Sequence, residues 1–385
     1  MNVQAALQAA VDDGKISGAA AYVGNREGAI SSLAVGSRDP VNGAAMREDS
    51  IFQIFSMTKA ITTVAALQLV ERGMLSLHTP IGDIVPELAD AQVIDGFADD
   101  GSAKLRTADK PITLHHLLTH TSGLGYDFIS ETMMRARGPS GPPPPSSLAS
   151  LSTPLLFDPG ERWEYGISTD WAGRVVEAVS GKSLDAYFAE NILEPLAMRD
   201  TAFKLNEEQT SRRAKPMLVT DDGGYVPFPV DLLGEQPEFL SGGGGLSGTG
   251  SDYLRFSRMI LNGGTLDGAQ VLKPETVAEM TRNQIGTIRA GKMDSVVPMF
   301  AVANDMFPDM NPGWSYGFLI NPEQGPNGRA AGTLSWAGIA NTYYWIDPVN
   351  DIAAVLMMQF LPFAHPKAWD VLGAFERAVY ARQLS

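Results

Sequence analysis

Near position 56 a hydroxyl and an amine fall at helical spacing. Ser56-Met57-Thr58-Lys59 opens an apolar-periodic run that predicts a helix over residues 56–72, stopped by Gly73. Residues three apart share a helix face, so the Lys59 amine can reach the Ser56 hydroxyl. A serine hydroxyl is a weak nucleophile and needs an adjacent base. A lysine taken out of water and lowered in pKa supplies one, alone or through a partner. The helix N-terminus adds free N–H groups and a positive dipole end, both favourable to an oxyanion. Taken alone, the same four residues also fit a serine N-cap followed by a solvated lysine. Other residues must decide.

Competing chemistries find less support. His116 and His120 stand at the i, i+4 spacing of a zinc pair, but Leu117-Leu118-Thr119 between them lack the glutamate of His-Glu-x-x-His. They read as structural histidines, and no metal site is expected. Gly243-Gly244-Gly245-Leu246-Ser247-Gly248 formally fits Gly-x-Gly-x-x-Gly, yet Pro237-Glu238-Phe239-Leu240-Ser241 before it makes a poor strand. A turn that lets backbone pass close to a pocket is the better reading. No Gly-x-Ser-x-Gly occurs, so the α/β-hydrolase elbow is absent. The chain has no cysteine, which excludes a thiol nucleophile, disulfides and thiolate-held metals. A charge of 29 − 44 = −15, with no basic run longer than Arg212-Arg213, sets nucleic acid aside as a partner. No stretch reaches about 18 apolar residues, and Met1-Asn2-Val3-Gln4 does not begin a secretory leader. A cytoplasmic protein without a membrane partner is the expectation.

The elements that must position Ser56 and Lys59 come from both ends of the chain. A helix is predicted over residues 3–11, then a hairpin of strands 18–24 and 29–35 around Asn25-Arg26-Glu27-Gly28. The last third predicts strands 330–335, 339–346 and 352–360, the latter two joined at Asp347-Pro348-Val349-Asn350-Asp351, and a closing helix over 366–382. Between lie shorter helices, including 114–119 and 170–180, and Gly138-Pro139-Ser140-Gly141-Pro142-Pro143-Pro144-Pro145, too stiff and donor-poor for either regular element. That run reads as a semi-rigid surface loop. No internal repeat is present. The pattern predicts an α+β fold: one antiparallel sheet built from both termini and flanked by helices, with an inserted, mostly helical domain. Residues 1–75 and 240–385 form the first domain and 76–239 the second, with the site between them.

Further motifs follow in order. They are Leu117-Leu118-Thr119-His120-Thr121-Ser122-Gly123-Leu124, then Tyr165-Gly166-Ile167 after the turn at Asp158-Pro159-Gly160, then the glycine run leading to Asp252 and Phe256, and last Trp336-Ala337-Gly338. With Ser-Met-Thr-Lys about 60 residues upstream of the first, the set resembles the serine β-lactamase and penicillin-binding-protein superfamily, in its class C-like esterase branch, the family VIII carboxylesterases. The resemblance runs from about Ile16 to the C-terminus. It implies a β-lactamase-like fold with Ser56 as nucleophile, Lys59 assisting its deprotonation, and Tyr165 as general base or proton shuttle. It implies an oxyanion hole from the backbone N–H groups of Ser56 and Ile339, and no metal or cofactor.

Two departures bear on the reaction. Class C β-lactamases carry Tyr-x-Asn, where this chain has Ile167, and Lys-Thr-Gly, where it has Trp336. Both changes remove polar handles for a β-lactam. The expected activity is hydrolysis of small neutral carboxylic esters through an acyl-enzyme. β-Lactamase, D-residue peptidase or acyltransferase activity at the same residues stays open, as does a silent module that binds cell-wall-like peptides. Trp336, Gly338, Ile167, Tyr126, Phe128 and Trp171 are expected around the substrate, with Pro142 to Pro145 as a stiff wall.

Overall fold

The computed structural model describes residues 2–230, 232–234, 237–382 and 384. The Asn2 side chain caps helix α1 (Val3–Asp12), accepting from the Ala5 N–H at 2.8 Å. Strands β1 (Gly18–Gly24), β2 (Ala29–Asp39) and β3 (Ala44–Ala45) follow. Helices α2 (Thr58–Glu71), α3 (Leu114–Thr119), α4 (Ser168–Ser180) and α5 (Gly250–Leu261) occupy the middle. The chain closes with β4 (Gly313–Trp314), β5 (Leu319–Ile320), β6 (Leu334–Gly338), β7 (Thr342–Asp347), β8 (Ile352–Met357) and α6 (Pro366–Tyr380). The eight strands form one antiparallel sheet in the order β4-β5-β6-β7-β8-β1-β2-β3. Strand β1, near the N-terminus, pairs with β8, near the C-terminus, placing Tyr22 opposite Val355. The sheet is thus assembled from both ends, as predicted.

Both faces of its centre are covered. Tyr344 of β7 packs against Tyr253 of α5 at 4.7 Å between ring centroids, while its neighbour Trp345 points the other way, onto Phe375 and Tyr380 of α6. A strand buried on both faces needs apolar residues at every position. That accounts for the unbroken run Ala353-Ala354-Val355-Leu356-Met357, all fully buried.

Three predicted boundaries move. The expected strands 330–335 and 339–346 are displaced: β6 carries Trp336-Ala337-Gly338 to its very end, Ile339 to Asn341 form the turn, and β7 starts at Thr342. The run expected over 352–360 divides, because Phe360–Leu361 leave the main sheet and pair in parallel with Met217–Val219. The long helix starts at Thr58, after a 3-10 turn over Phe55–Met57 that holds Ser56. It also lacks a polar face, since every residue from Thr58 to Leu69 is buried. Helix α2 is the spine of the molecule, packed against α4 and sharing one continuous core with the sheet and α5.

Residues 76–239 supply α3, α4, several shorter helices and the hairpin of Gln92–Phe97 with Ala103–Thr107. The segment also returns to the sheet-bearing part through Met217–Val219 and the pairing of Ile51 with Arg213. Among the described residues no helix is long and apolar enough to cross a membrane.

Helix α5 meets the sheet closely enough to exclude a methyl group. A Cβ at Gly250 would lie 2.1 Å from the Tyr22 ring and 3.0 Å from Cγ of Met357. Gly250→Ala should therefore destabilise the protein by about 1–3 kcal/mol in urea denaturation. Gly28→Ala, which adds a Cβ in open space, should change stability by less than about 0.5 kcal/mol. Equal midpoints for the two variants would contradict this packing.

Candidate active site

The turn that carries Ser56 is strained. Phe55 sits at φ 42°, in the left-handed region, at a cost of about 1–3 kcal/mol for a residue with a side chain. The turn is held from both sides: the Ile54 N–H donates to the Leu246 carbonyl, and the Tyr253 hydroxyl donates to the Met57 carbonyl at 2.9 Å. The end of β6 presses on it, since a Cβ at Gly338 would stand 2.5 Å from the Ile54 carbonyl oxygen. Glycine is needed there to bring Ile339 beside the serine. Among the described residues the N–H groups of Ser56 and Ile339 donate to no other group, and both residues line the same cavity of about 280 Å³. Two unspent amides at a serine are the elements of an oxyanion hole.

Lys59 is 1% exposed. Its Nζ lies 3.2 Å from Ser56 Oγ, 2.7 Å from the Gly243 carbonyl oxygen and 3.1 Å from Tyr126 Oη. The spacing that suggested a serine–lysine pair thus does bring the two groups together. The glycine run is a turn against the pocket, as expected, and its carbonyl is the closest of the lysine's partners.

Tyr165 lines the same cavity and packs beside the lysine. Its ring face lies 4.7 Å from Lys59 Nζ, a cation–π contact. Among the described residues its hydroxyl has one partner, the indole N–H of Trp336, which donates to it at 3.0 Å. Trp336 is therefore not merely an apolar replacement for a lysine. It holds the tyrosine. Trp163, His120 and Tyr126 complete the packing around the Tyr165 ring. His120, in the left-handed conformation at the end of α3, is fully buried, and desolvation with the Lys59 charge holds its imidazole well below the usual value. His116 is spent elsewhere, in a reciprocal cap with Thr113.

Ile167, Tyr126, Phe128, Trp336, Gly338 and Ile339 all line the cavity, and so do Pro142, Pro143 and Pro145. Trp171 does not. It lies on α4 and is buried, while Ile167, just before that helix, and Asp170, in its first turn, line the cavity.

Asp170 escaped the sequence reading because an acid in the first turn of a helix is ordinary there. It is buried beside the glycine turn, where Oδ1 accepts from Ser241 Oγ at 2.5 Å and from the Gly243 N–H at 3.0 Å. Burial raises its carboxyl above the usual range, while the Lys59 charge and the two hydrogen bonds oppose that rise. Asp170 fixes the turn whose carbonyl holds Lys59. A signal was available: an acid five residues after the motif tyrosine and a glycine run with no strand before it.

A family model described as Beta-lactamase matches residues 3–374. The chain belongs to that family. It is 33% identical to the lovastatin esterase of Penicillium rubens, over 98% of this chain and 97% of the relative. It is 32% identical to the monacolin J acid methylbutanoyltransferase of Aspergillus terreus, over 88% of this chain and 83% of the relative. In structure it is similar to unliganded simvastatin synthase (LovD) from Aspergillus terreus, with a TM-score of 0.83 and 28% identity over 99% and 97% of the two chains. The β-lactamase-like α+β fold follows, and the family here includes both an esterase and acyltransferases.

Removing the Asp170 carboxylate tests the anchor. Asp170→Ala leaves Ser241 and the Gly243 N–H without their acceptor and should cost about 1–3 kcal/mol per buried group in chemical denaturation. Asp170→Asn keeps an acceptor oxygen and should recover much of that loss. An Asp170→Ala variant as stable as wild type would show that the turn is held by something else.

Proposed function

We propose that this protein is a serine carboxylic ester hydrolase that works through an acyl-enzyme on Ser56. The observation that carries the reading is the Ser56–Lys59 pair at the floor of a largely apolar cavity, with Trp336 and Ile167 where a β-lactam would need polar partners. Ser56 Oγ attacks the ester carbonyl as Lys59, in its neutral form, takes the hydroxyl proton. The backbone N–H groups of Ser56 and Ile339 receive the developing oxyanion. The alcohol departs with the proton that Lys59 took from Ser56, and water repeats the sequence on the acyl-enzyme. The Tyr165 ring face stabilises the lysine when it is protonated. No step of this sequence calls for a metal or cofactor.

Similarity to a lovastatin esterase supports ester cleavage. Similarity to a monacolin J acid methylbutanoyltransferase favours a second reading, in which an alcohol replaces water in the second half-reaction. The two share every step up to the acyl-enzyme. They separate on adding a primary alcohol during turnover and measuring whether the acyl group leaves as acid or as new ester.

A β-lactam brings a carboxylate and an amide that need partners once out of water. Leaving such groups unpaired costs about 1–3 kcal/mol each, and more when charged. At about 1.36 kcal/mol per tenfold, two missing partners amount to a few orders of magnitude in turnover. The expected outcome is a kcat/KM for short p-nitrophenyl esters far above that for a chromogenic cephalosporin, with both activities lost in Ser56→Ala. Lys59→Ala should lower kcat by about 10²–10⁴-fold. Trp336→Lys with Ile167→Asn should narrow the gap between the two substrates. Wild-type protein that cleaves the cephalosporin as fast as the esters would overturn the assignment of Trp336 and Ile167.

A further inference from the structure

Among the described residues Arg137 is the only cationic residue of the cavity lining, and no step of the reaction above uses it. A guanidinium holds five N–H donors in one rigid plane. In Arg137 Nε donates to Asp127 Oδ2 at 3.3 Å, Nη1 to the carbonyls of Ala149 and Ser152 at 3.4 and 3.0 Å, and Nη2 to the Ser150 carbonyl at 3.2 Å. The Asp127 carboxylate answers its charge, with the two side chains only 14% and 17% exposed. A guanidinium so occupied is not a receptor for a substrate carboxylate. Its partners point to a different use.

Those partners belong to two separate pieces of the cavity wall. Asp127 stands between Tyr126, which accepts from Lys59, and Phe128, whose ring meets Phe300 at 5.9 Å. The three carbonyls belong to the turn that follows the proline run, where Ser150 and Leu151 also line the cavity. No other hydrogen bond among the described residues joins 125–129 to 142–152. The backbone of Arg137 is itself fixed, because its N–H donates to the Met133 carbonyl at 3.1 Å at the end of the short helix Glu131–Ala136.

Proline has no N–H, so Pro142 to Pro145 cannot tie the wall down through donors of their own. The wall is instead fastened beyond the run. Toward residues 233–238, Ser146 Oγ donates to the Leu233 carbonyl at 3.0 Å and the Glu238 N–H to the Ser146 carbonyl at 2.9 Å. Toward Phe128, the fastening is Arg137. A lysine ammonium, a point charge, would not span a carboxylate and three carbonyls as this planar fork does.

From this geometry we infer that Arg137 is a positioning residue that sets substrate size. With Asp127 it clasps the proline-run wall to the Tyr126–Phe128 segment and so fixes the width of the chamber that receives the longer apolar arm of the ester, on its acid or its alcohol side. The inference rests on the ester hydrolase reading above. An apolar arm is recognised by fit along its length, and a misfit of one methylene in such a pocket is worth about 10–200-fold. A wall free to shift loses that fit for a long arm, while a short arm that does not reach it is spared.

Chain-length dependence reads this out. We compare kcat/KM for p-nitrophenyl acetate, butyrate and octanoate, and for ethyl, butyl and octyl acetate, so that the acid and alcohol arms are lengthened separately. Arg137→Ala should lower the ratio of longest to shortest ester by about 10–100-fold in one of the two series, through KM rather than kcat. The series affected identifies the arm that occupies the chamber. Asp127→Asn keeps an acceptor for Nε and should move the same ratio by less. If Arg137→Ala does not fold, Arg137→Lys carries the test, since it keeps a charge opposite Asp127 but loses carbonyl contacts, and it should lower the ratio in the same series. The inference is overturned if the variant that folds lowers all esters in the same proportion, as a purely structural role would. It is also overturned if both ratios stay at or above wild type, or if the loss falls only on an ester bearing a free carboxylate. Wild-type-like cleavage by Ser56→Ala would instead refute the underlying ester hydrolase reading, and so the two failures are distinct.

Discussion

A lysine that takes up a proton out of water must then have each of its protons accepted, and the site is arranged around Lys59 in that charged form. An unpaired charge out of water costs several kcal/mol at least. Here Ser56, Gly243 and Tyr126 each accept one hydrogen bond, and the Tyr165 ring faces the same nitrogen. Each partner comes from a different part of the chain: the turn before α2, the glycine turn before α5, the segment after α3 and the segment before α4. The lysine therefore ties together the elements that the sheet brings near one another. Asp170 extends the arrangement by one shell, holding the glycine turn from the first turn of α4.

The proposed choice of an ester over a β-lactam rests on a second arrangement, at the end of β6. Gly338 lets that strand press against Ile54, which sets the Ile339 amide beside Ser56. Two residues earlier on the same strand, Trp336 faces the cavity and donates its only polar hydrogen to Tyr165. The end of one short strand thus places an unspent amide beside Ser56 and an anchor on the tyrosine, and the strand presents no cation to the cavity. Ile167 removes the other polar handle. The remaining wall is aromatic and aliphatic, with Phe128, Phe300 and the proline run, and suits the apolar body of an ester.

Much of this was legible in the sequence, for physical reasons that differ by element. The terminal strands and the hairpin announced themselves through β-branched and aromatic runs between strong turns. Ser56 and Lys59 were legible because helical spacing fixes their approach whatever the rest of the fold does. Helix α2 was harder, since a helix buried on all sides shows no polar stripe, and its start was blurred by the 3-10 turn at Phe55. Strand β6 was misplaced because its last residues, Trp336-Ala337-Gly338, end in a glycine that reads as a break but is there for close packing. Asp170, the indole bond to Tyr165 and the burial of Trp171 outside the cavity lining depend on how α4 meets the glycine turn. That is a tertiary fact with no local signature.

The central claim is that Ser56, activated by Lys59, carries the acyl group. The most direct test is rapid acid quenching during turnover of a slow ester, followed by intact mass measurement and peptide mapping. One acyl group per chain, on the peptide containing Ser56 and absent from Ser56→Ala, is the result this account predicts. Turnover without a covalent adduct, or an adduct on Ser122 or Ser247 instead, would contradict it.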